Sequence, residues 1–144
     1  MKVLSFVALI LLTFSSPSVE LENFRIGQIC NSNSGFTVQG FNVNPYPPSG
    51  CSPQAVTMFG VFNVAACPNQ IHVNENYNQR QSYNQNIQES GCYSVGQNAT
   101  YNFNINAFQC NPGSYQIQVT LQSQDSQKNQ QNLACWQYQY QFNS

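Results

Sequence analysis

The stretch Cys135-Trp136-Gln137-Tyr138-Gln139-Tyr140-Gln141-Phe142 decides how the whole chain is read. It is rich in glutamine, and such a stretch can be a low-complexity tract that aggregates or a strand whose solvent face is written in amides. A disordered tract has no reason to space its apolar residues regularly. Here an aromatic residue stands at every second position, the period of a strand buried on one face. The same alternation runs from Tyr101 through Phe103 and Ile105 to Ala107, and from Tyr115 through Ile117 and Val119 to Leu121. Aromatic and β-branched residues dominate, the types that suit a pleated, half-buried surface.

Working outward, the pattern continues less cleanly. Phe36-Thr37-Val38, with Phe41-Asn42-Val43 beyond Gly40, reads as a strand with a bulge at the glycine. Val56, Met58, Phe62 and Val64 share one parity and Phe59 and Val61 the other, so this strand is expected to be covered on both faces. Ile71 and Val73 mark a further short strand. Residues 74–90 fit neither template and are expected to form a loop holding at most one strand. Turn signals separate the runs at Asn44-Pro45 through Gly50, Cys67-Pro68-Asn69, Ser90-Gly91, Asn111-Pro112-Gly113 and Ser123 to Asn132. No run of ten residues keeps a helical period. The expected fold is all-β, an immunoglobulin-like antiparallel β-sandwich of two sheets with six to eight short strands.

The N-terminus carries a targeting signal. Lys2, the apolar run Val3 to Phe14 and the small residues Ser16 and Ser18 describe a secretory signal peptide over residues 1–18, followed by a single domain over 19–144. The apolar run is shorter than the roughly 20 residues a membrane span needs. All six cysteines (Cys30, Cys51, Cys67, Cys92, Cys110, Cys135) follow this signal, which implies three disulfides made in an oxidising compartment. The sequence alone does not choose among their connectivities. Asn98-Ala99-Thr100 is a glycosylation sequon.

Charged residues make up only 6% of the chain. From residue 19 onward Arg25, Arg80 and Lys128 face five acids, a net charge of −2. Nucleic-acid binding, which needs a basic patch, is thereby disfavoured. Asparagine and glutamine, twenty of each, take the place of charge. Reactive constellations are missing as well. His72, the one histidine, is three residues from Glu75, so a strand would put the two on opposite faces. There is no Cys-x-x-Cys metal pair, no phosphate loop and no G-x-S-x-G elbow. The expectation is a binding or structural protein, not an enzyme, with no metal and no cofactor.

Three features in order carry a resemblance: Cys30 ahead of the first strand, the turn Asn44-Pro45-Tyr46-Pro47-Pro48, and the closing pair that starts at Gly113-Ser114-Tyr115 and includes Cys135-Trp136. Together they resemble the ML (MD-2-related lipid-recognition) family, that of Niemann–Pick C2 and phosphatidylglycerol/phosphatidylinositol transfer proteins. The resemblance implies a secreted, endolysosomal or vacuolar-lumen protein. It would bind a sterol, fatty acyl chain or phospholipid in an apolar cavity between the sheets. Lipid would be its partner, with a membrane surface or lipid-handling protein met transiently, and the protein would be a monomer. The inward parities supply Val56, Met58, Phe62, Val64, Phe103, Ile105, Ile117, Val119, Tyr138 and Tyr140 as cavity candidates. The same side chains would also make an ordinary closed core, and the alternative function is a secreted structural or matrix protein without a ligand. The resemblance further implies a Cys30–Cys135 disulfide. For the other four cysteines the default is sequential, Cys51–Cys67 and Cys92–Cys110. Gly91-Cys92 matches a mid-chain Gly-Cys of the family, whose close partner cysteine is missing here.

Overall fold

The computed structural model describes residues 26–30, 35–48, 51–107 and 110–143. The expected signal peptide therefore lies outside the described residues. Eight strands follow one another: β1 (Gln28–Ile29), β2 (Phe36–Asn44), β3 (Gln54–Phe62), β4 (Pro68–Tyr77), β5 (Gln81–Gln88), β6 (Asn98–Ile105), β7 (Gly113–Gln124) and β8 (Gln130–Phe142). They form two antiparallel sheets, in the orders β1-β8-β7-β4-β5 and β2-β3-β6. The architecture is an immunoglobulin-like β-sandwich, as the alternation predicts.

The closing stretch is a strand. β8 lies between β1 and β7, with Val119 opposite Trp136, Ile117 opposite Tyr138 and Tyr115 opposite Tyr140. Trp136 and Tyr138 are buried while Gln137 is half-buried and Gln139 exposed. On the outer face the amides line up across the sheet. Gln28, Gln137, Gln118, Asn74 and Asn84 are successive register partners on five strands. Side chains there bond to one another: Gln70 Nε2 donates to Gln122 Oε1 at 2.6 Å, Gln122 Nε2 to Asn132 Oδ1 at 2.8 Å, and Gln116 Nε2 to Gln137 Oε1 at 3.1 Å. Cross-strand pairs of this kind brace a sheet much as charge pairs do elsewhere.

The expected bulge in β2 is present, as a register shift between Val38 and Gly40. Gly40 leaves room for the Phe59 ring to cross its backbone: a Cβ there would lie 2.1 Å from the ring, which would have to move. Phe59 and Val61 are half-buried on the outer side of β3.

Three expectations are corrected. Residues 74–90 are no loop: β4 runs on to Tyr77, a three-residue turn with Asn78 and Gln79 at φ of 51° and 56° reverses the chain, and β5 pairs back along β4. The period was masked because inward positions on this hairpin include Glu75 and Gln85 as well as Ile71, Val73, Tyr83 and Ile87. Val64 is not inside: it lies beyond the end of β3 and is 44% exposed. The backbone leaves the sheet at this point, where Phe62 N–H donates to Gln97 O and Asn63 N–H to Gly35 O.

The third correction concerns the disulfides. Cys30 pairs with Cys135, but the other pairs are Cys51–Cys110 and Cys67–Cys92. Bridged cysteines need Cα atoms within roughly 7 Å. Cys51 and Cys67 stand at opposite ends of β3, whose nine residues reach about 30 Å at roughly 3.3 Å each. Cys92 and Cys110 are separated by β6 in the same way. The observed pairs instead link connections at each end of the sandwich. Cys67–Cys92 ties the β3–β4 crossover to the β5–β6 crossover, beside the Ala66–Tyr93 bridge. Cys51–Cys110 ties the β2–β3 loop to the β6–β7 crossover.

Two measurements check this framework. Non-reducing digestion should yield peptides linking Cys51 to Cys110 and Cys67 to Cys92, and a Cys51–Cys67 peptide would reject the assignment. Ile117→Ala, at a position with no exposure, should lower the unfolding free energy by about 2–5 kcal/mol in denaturant titration.

Candidate functional site

The inner faces of the two sheets meet and make one continuous cluster. Eight of the ten residues named from the sequence lie fully inside it: Val56, Met58 and Phe62 on β3, Phe103 and Ile105 on β6, Ile117 and Val119 on β7, and Tyr138 on β8. Tyr140 packs at the rim, and Val64 takes no part. Phe41 of β2 bridges to the facing sheet, its ring 5.8 Å from both Trp136 and Tyr138. Asn98 is exposed at the first position of β6.

Polarity along this interior is not uniform. At one end Phe36 and Phe62 meet at 4.8 Å and Phe62 stacks on Tyr93 at 4.5 Å. The facing row on the other sheet is Ile71, Leu121 and Ala134, all apolar register partners. Two rows further along, the row reads Tyr83, Glu75, Ile117 and Tyr138; the next reads Gln81, Tyr77, Tyr115 and Tyr140. Gln54, at the start of β3, faces them from the other sheet.

These polar residues form a cluster that the sequence reading missed. Glu75 has no exposure and Gln54 1%. Tyr138 O–H donates to Gln54 Oε1 at 2.5 Å, and Gln54 Nε2 donates to Tyr140 Oη at 3.2 Å. Tyr115 and Tyr140 stack at 4.9 Å, and Tyr115 O–H donates to Asn111 O at 2.5 Å. At this end of the sandwich Cys51–Cys110 joins the β2–β3 and β6–β7 connections. Tyr77 O–H donates to Pro112 O at 2.9 Å and so ties the chain just ahead of β7 to the end of β4. A signal for Glu75 existed, since it shares the parity of Ile71 and Val73. A carboxylate is rarely placed on an apolar face, so alternation alone does not call attention to it.

The electrostatics follow the burial. Burial, then the Tyr77 and Glu75 charges, pushes the Tyr115 phenol up to about 12. Burial also raises Tyr138, with Tyr140 and Glu75 adding to it. Tyr140 is raised by burial and then by Glu75, partly offset by its bond from Gln54. These phenols remain protonated hydrogen-bonding groups at any physiological pH.

His72 lies on the opposite, outer face, where its Nδ1 is 2.6 Å from Asn86 Oδ1. Among the described residues no group of His, Cys, Asp and Glu has the arrangement to hold a metal ion. The long sides of the sandwich are closed differently from its ends. On the β5/β6 side the Gln85 amide spans the sheets, accepting from Asn106 N–H and donating to Asn104 O, both at 3.0 Å. On the β1/β2 side Trp136 Nε1–H donates to Ile26 O at 2.7 Å and Tyr46 O–H to Gln139 O at 2.8 Å. A groove of about 350 Å³, open to solvent, runs along that seam between Gly27, Gln28, Ile29, Val38 and Trp136.

The phenol shifts have a consequence for stability. A phenol whose pKa is raised in the fold contributes stability that is complete below the ordinary value of 10.0 and lost as pH climbs through the raised value. Denaturant melts should therefore give level stability up to about pH 10 and a fall towards pH 12, with a shallower fall in Tyr115→Phe.

No family model and no curated protein matches this sequence. Solved structures do match in shape. The C-terminal domain of wzt superposes with a TM-score of 0.60 at 16% identity, over 83% of this chain and 84% of that one. A Niemann–Pick type C2 protein from the Japanese carpenter ant superposes with a TM-score of 0.55 at 8% identity, over 81% of this chain and 98% of that one. The chain thus has the sandwich fold that a Niemann–Pick type C2 protein also has.

Proposed function

We propose that this chain is a lipid-binding protein of the secretory pathway, which holds a sterol, fatty acyl chain or phospholipid between its two sheets and carries it between membranes or proteins. One observation carries the reading. The gap between the sheets is filled mainly by apolar and aromatic side chains, in a fold whose likeness takes in nearly all of a Niemann–Pick type C2 protein. The ML resemblance of the Pro-rich turn and the closing strand pair points the same way.

The energetics suit such a role. Each methylene transferred from water contributes roughly 0.8 kcal/mol, so an ordinary acyl chain gains on the order of 10 kcal/mol before ordering costs. No charge or cofactor is required, and we assign the protein no catalytic role. A ligand enters by displacing side chains, which suits the unbranched Met58 at the centre of β3. Disulfides clamp the connections at both ends, so the sheets part along the sides, where hydrogen bonds and ring packing hold them without a covalent link. Three disulfides and a glycan at Asn98 fit a secreted or lumenal site of action. Contact with a membrane surface or a lipid-handling protein would be brief and made as a monomer.

The tight closure of the core favours a second reading, a secreted matrix protein that carries nothing. The two readings separate in one experiment. Protein purified from its natural source should release close to one lipid per chain on organic extraction and mass spectrometry. Lipid-free protein that also takes up neither cholesterol nor phospholipid from vesicles would favour the matrix reading.

A further inference from the structure

Each sheet of the sandwich ends in edge strands, and most of these edges are guarded. β1 is two residues long, and beyond it the edge of β8 is met by Cys30 N–H on Cys135 O and by Tyr46 O–H on Gln139 O. β2 carries the bulge at Gly40. On β6 the Gln85 amide occupies the Asn104 carbonyl, and the strand opens at the sequon residue Asn98. Short strands, bulges and covered backbone are devices that keep an edge from pairing with another chain. β5 has none of them. Gln81–Gln88 hold no proline, no bulge and no charge, and among the described residues β4 is their only strand neighbour.

The free backbone groups of this edge follow a fixed pattern. Glu89 N–H donates to Asn69 O at 2.9 Å. The odd residues of β5 therefore bond to β4, while Ser82, Asn84, Asn86 and Gln88 turn their N–H and C=O away from it. These even residues also carry their side chains on the outer, amide face, and Tyr83 and Ile87 stand half-buried on the inner one. A two-fold axis normal to the sheet joins even residues to even residues. With the axis at Gln85, Asn84 meets Asn86 of a second copy and Ser82 meets Gln88. On the inner face Tyr83 then meets Ile87, a favourable aromatic–aliphatic cross-strand pair.

Charge points the same way. Among the described residues the charged side chains are Glu75, Arg80, Glu89, Asp125 and Lys128. Two of opposite sign, Arg80 and Glu89, stand just outside the two ends of β5. Antiparallel pairing brings each Arg80 to within one position of the other copy's Glu89, a distance that an arginine side chain can reach. Burial raises the Glu89 carboxyl above its ordinary range, and a cation beside it would offset that.

We infer that β5 is a docking edge for a second copy of this chain, which adds antiparallel about a two-fold axis so that the two larger sheets run on as one. Such pairing goes beyond lipid binding and does not rest on it. An isologous contact of this kind closes after two copies. A single strand edge buries less than the roughly 1,200 Å² of a standard stable interface, so the pair is weak. Dilute protein therefore meets a membrane as a single chain, and pairs form where the protein is concentrated.

Sedimentation equilibrium of the disulfide-bonded protein from about 5 µM to about 1 mM tests this, because self-association shifts with concentration by mass action. The weight-average mass should climb from one chain towards two and stop there. Asn84→Lys, at an exposed outer position, puts like charges near the axis and should leave a single chain at every concentration. Arg80→Glu should weaken pairing by about tenfold. Adding Glu89→Arg to it should restore the wild-type affinity to within about threefold, a rescue that a merely structural role for either residue would not give. A constant single-chain mass, growth past two chains, or a dimer that all these variants leave unchanged would each overturn the pairing. None of these results touches lipid uptake, so pairing and lipid binding stand or fall separately.

Discussion

The pairing of β7 with β8 is the constraint on which the rest of the structure depends. It is the longest register in the molecule, running from Gly113 opposite Phe142 to Gln124 opposite Gln130. Its inner face supplies Ile117, Val119, Trp136 and Tyr138 to the core, and its outer face supplies the glutamines that stand in for charge. β4 is then added beside β7 and β1 beside β8. A one-residue slip in this register would turn every aromatic outward and every amide inward, which is why the alternation is so strictly kept. The turn that starts the register is built locally: the Asp125 carboxylate accepts from Gln127 N–H at 2.8 Å and Asn129 N–H at 2.9 Å, and the Asn129 backbone bond holds it below the usual carboxylate range.

On this five-stranded sheet the smaller one sits like a cover fastened covalently at its ends and held by hydrogen bonds and packing along its sides. Cys67–Cys92 and Cys51–Cys110 each join connections at one end, whereas Cys30–Cys135 lies within the larger sheet, beside β1 and β8. Such covalent links act mainly by reducing the freedom of the unfolded chain, which matters for a domain with little charge to form ion pairs. The mechanical outcome is a sandwich whose ends are fixed and whose flanks are held by the Gln85 clasp on one side and by the Trp136 and Tyr46 bonds on the other. Apolar packing fills most of the space between, and Gln54 and Glu75 are buried within it.

Much of this was legible in the chain. Trp136, Tyr138 and Tyr140, the runs from Tyr101 and from Tyr115, and the bulge at Gly40 all announced themselves through period two, because a strand with one dry face leaves no other pattern. The β4–β5 hairpin did not. Its inward positions include Glu75 and Gln85, so a pattern defined by hydrophobicity breaks just where the chain places polar groups inside. Val64 was misread for the opposite reason: its parity is right, but the strand ends before reaching it, and strand ends depend on the neighbour's backbone more than on the residue itself. Gln54, like Glu75, shares the parity of the core positions next to it and escaped notice because polar residues are normally outside.

What the sequence determined alone was the class of fold and the direction of most faces, since alternation, turn residues and cysteine parity are local properties. Tertiary structure decided which cysteines meet, because pairing depends on where whole strands deliver their ends, and β3 and β6 carry sequence neighbours to opposite ends of the sandwich. It also decided that Gln54 of one sheet and Glu75, Tyr138 and Tyr140 of the other converge on one spot. No spacing in the chain records that meeting. It exists only because two sheets stack, and stacking brings together residues as far apart as 54 and 140.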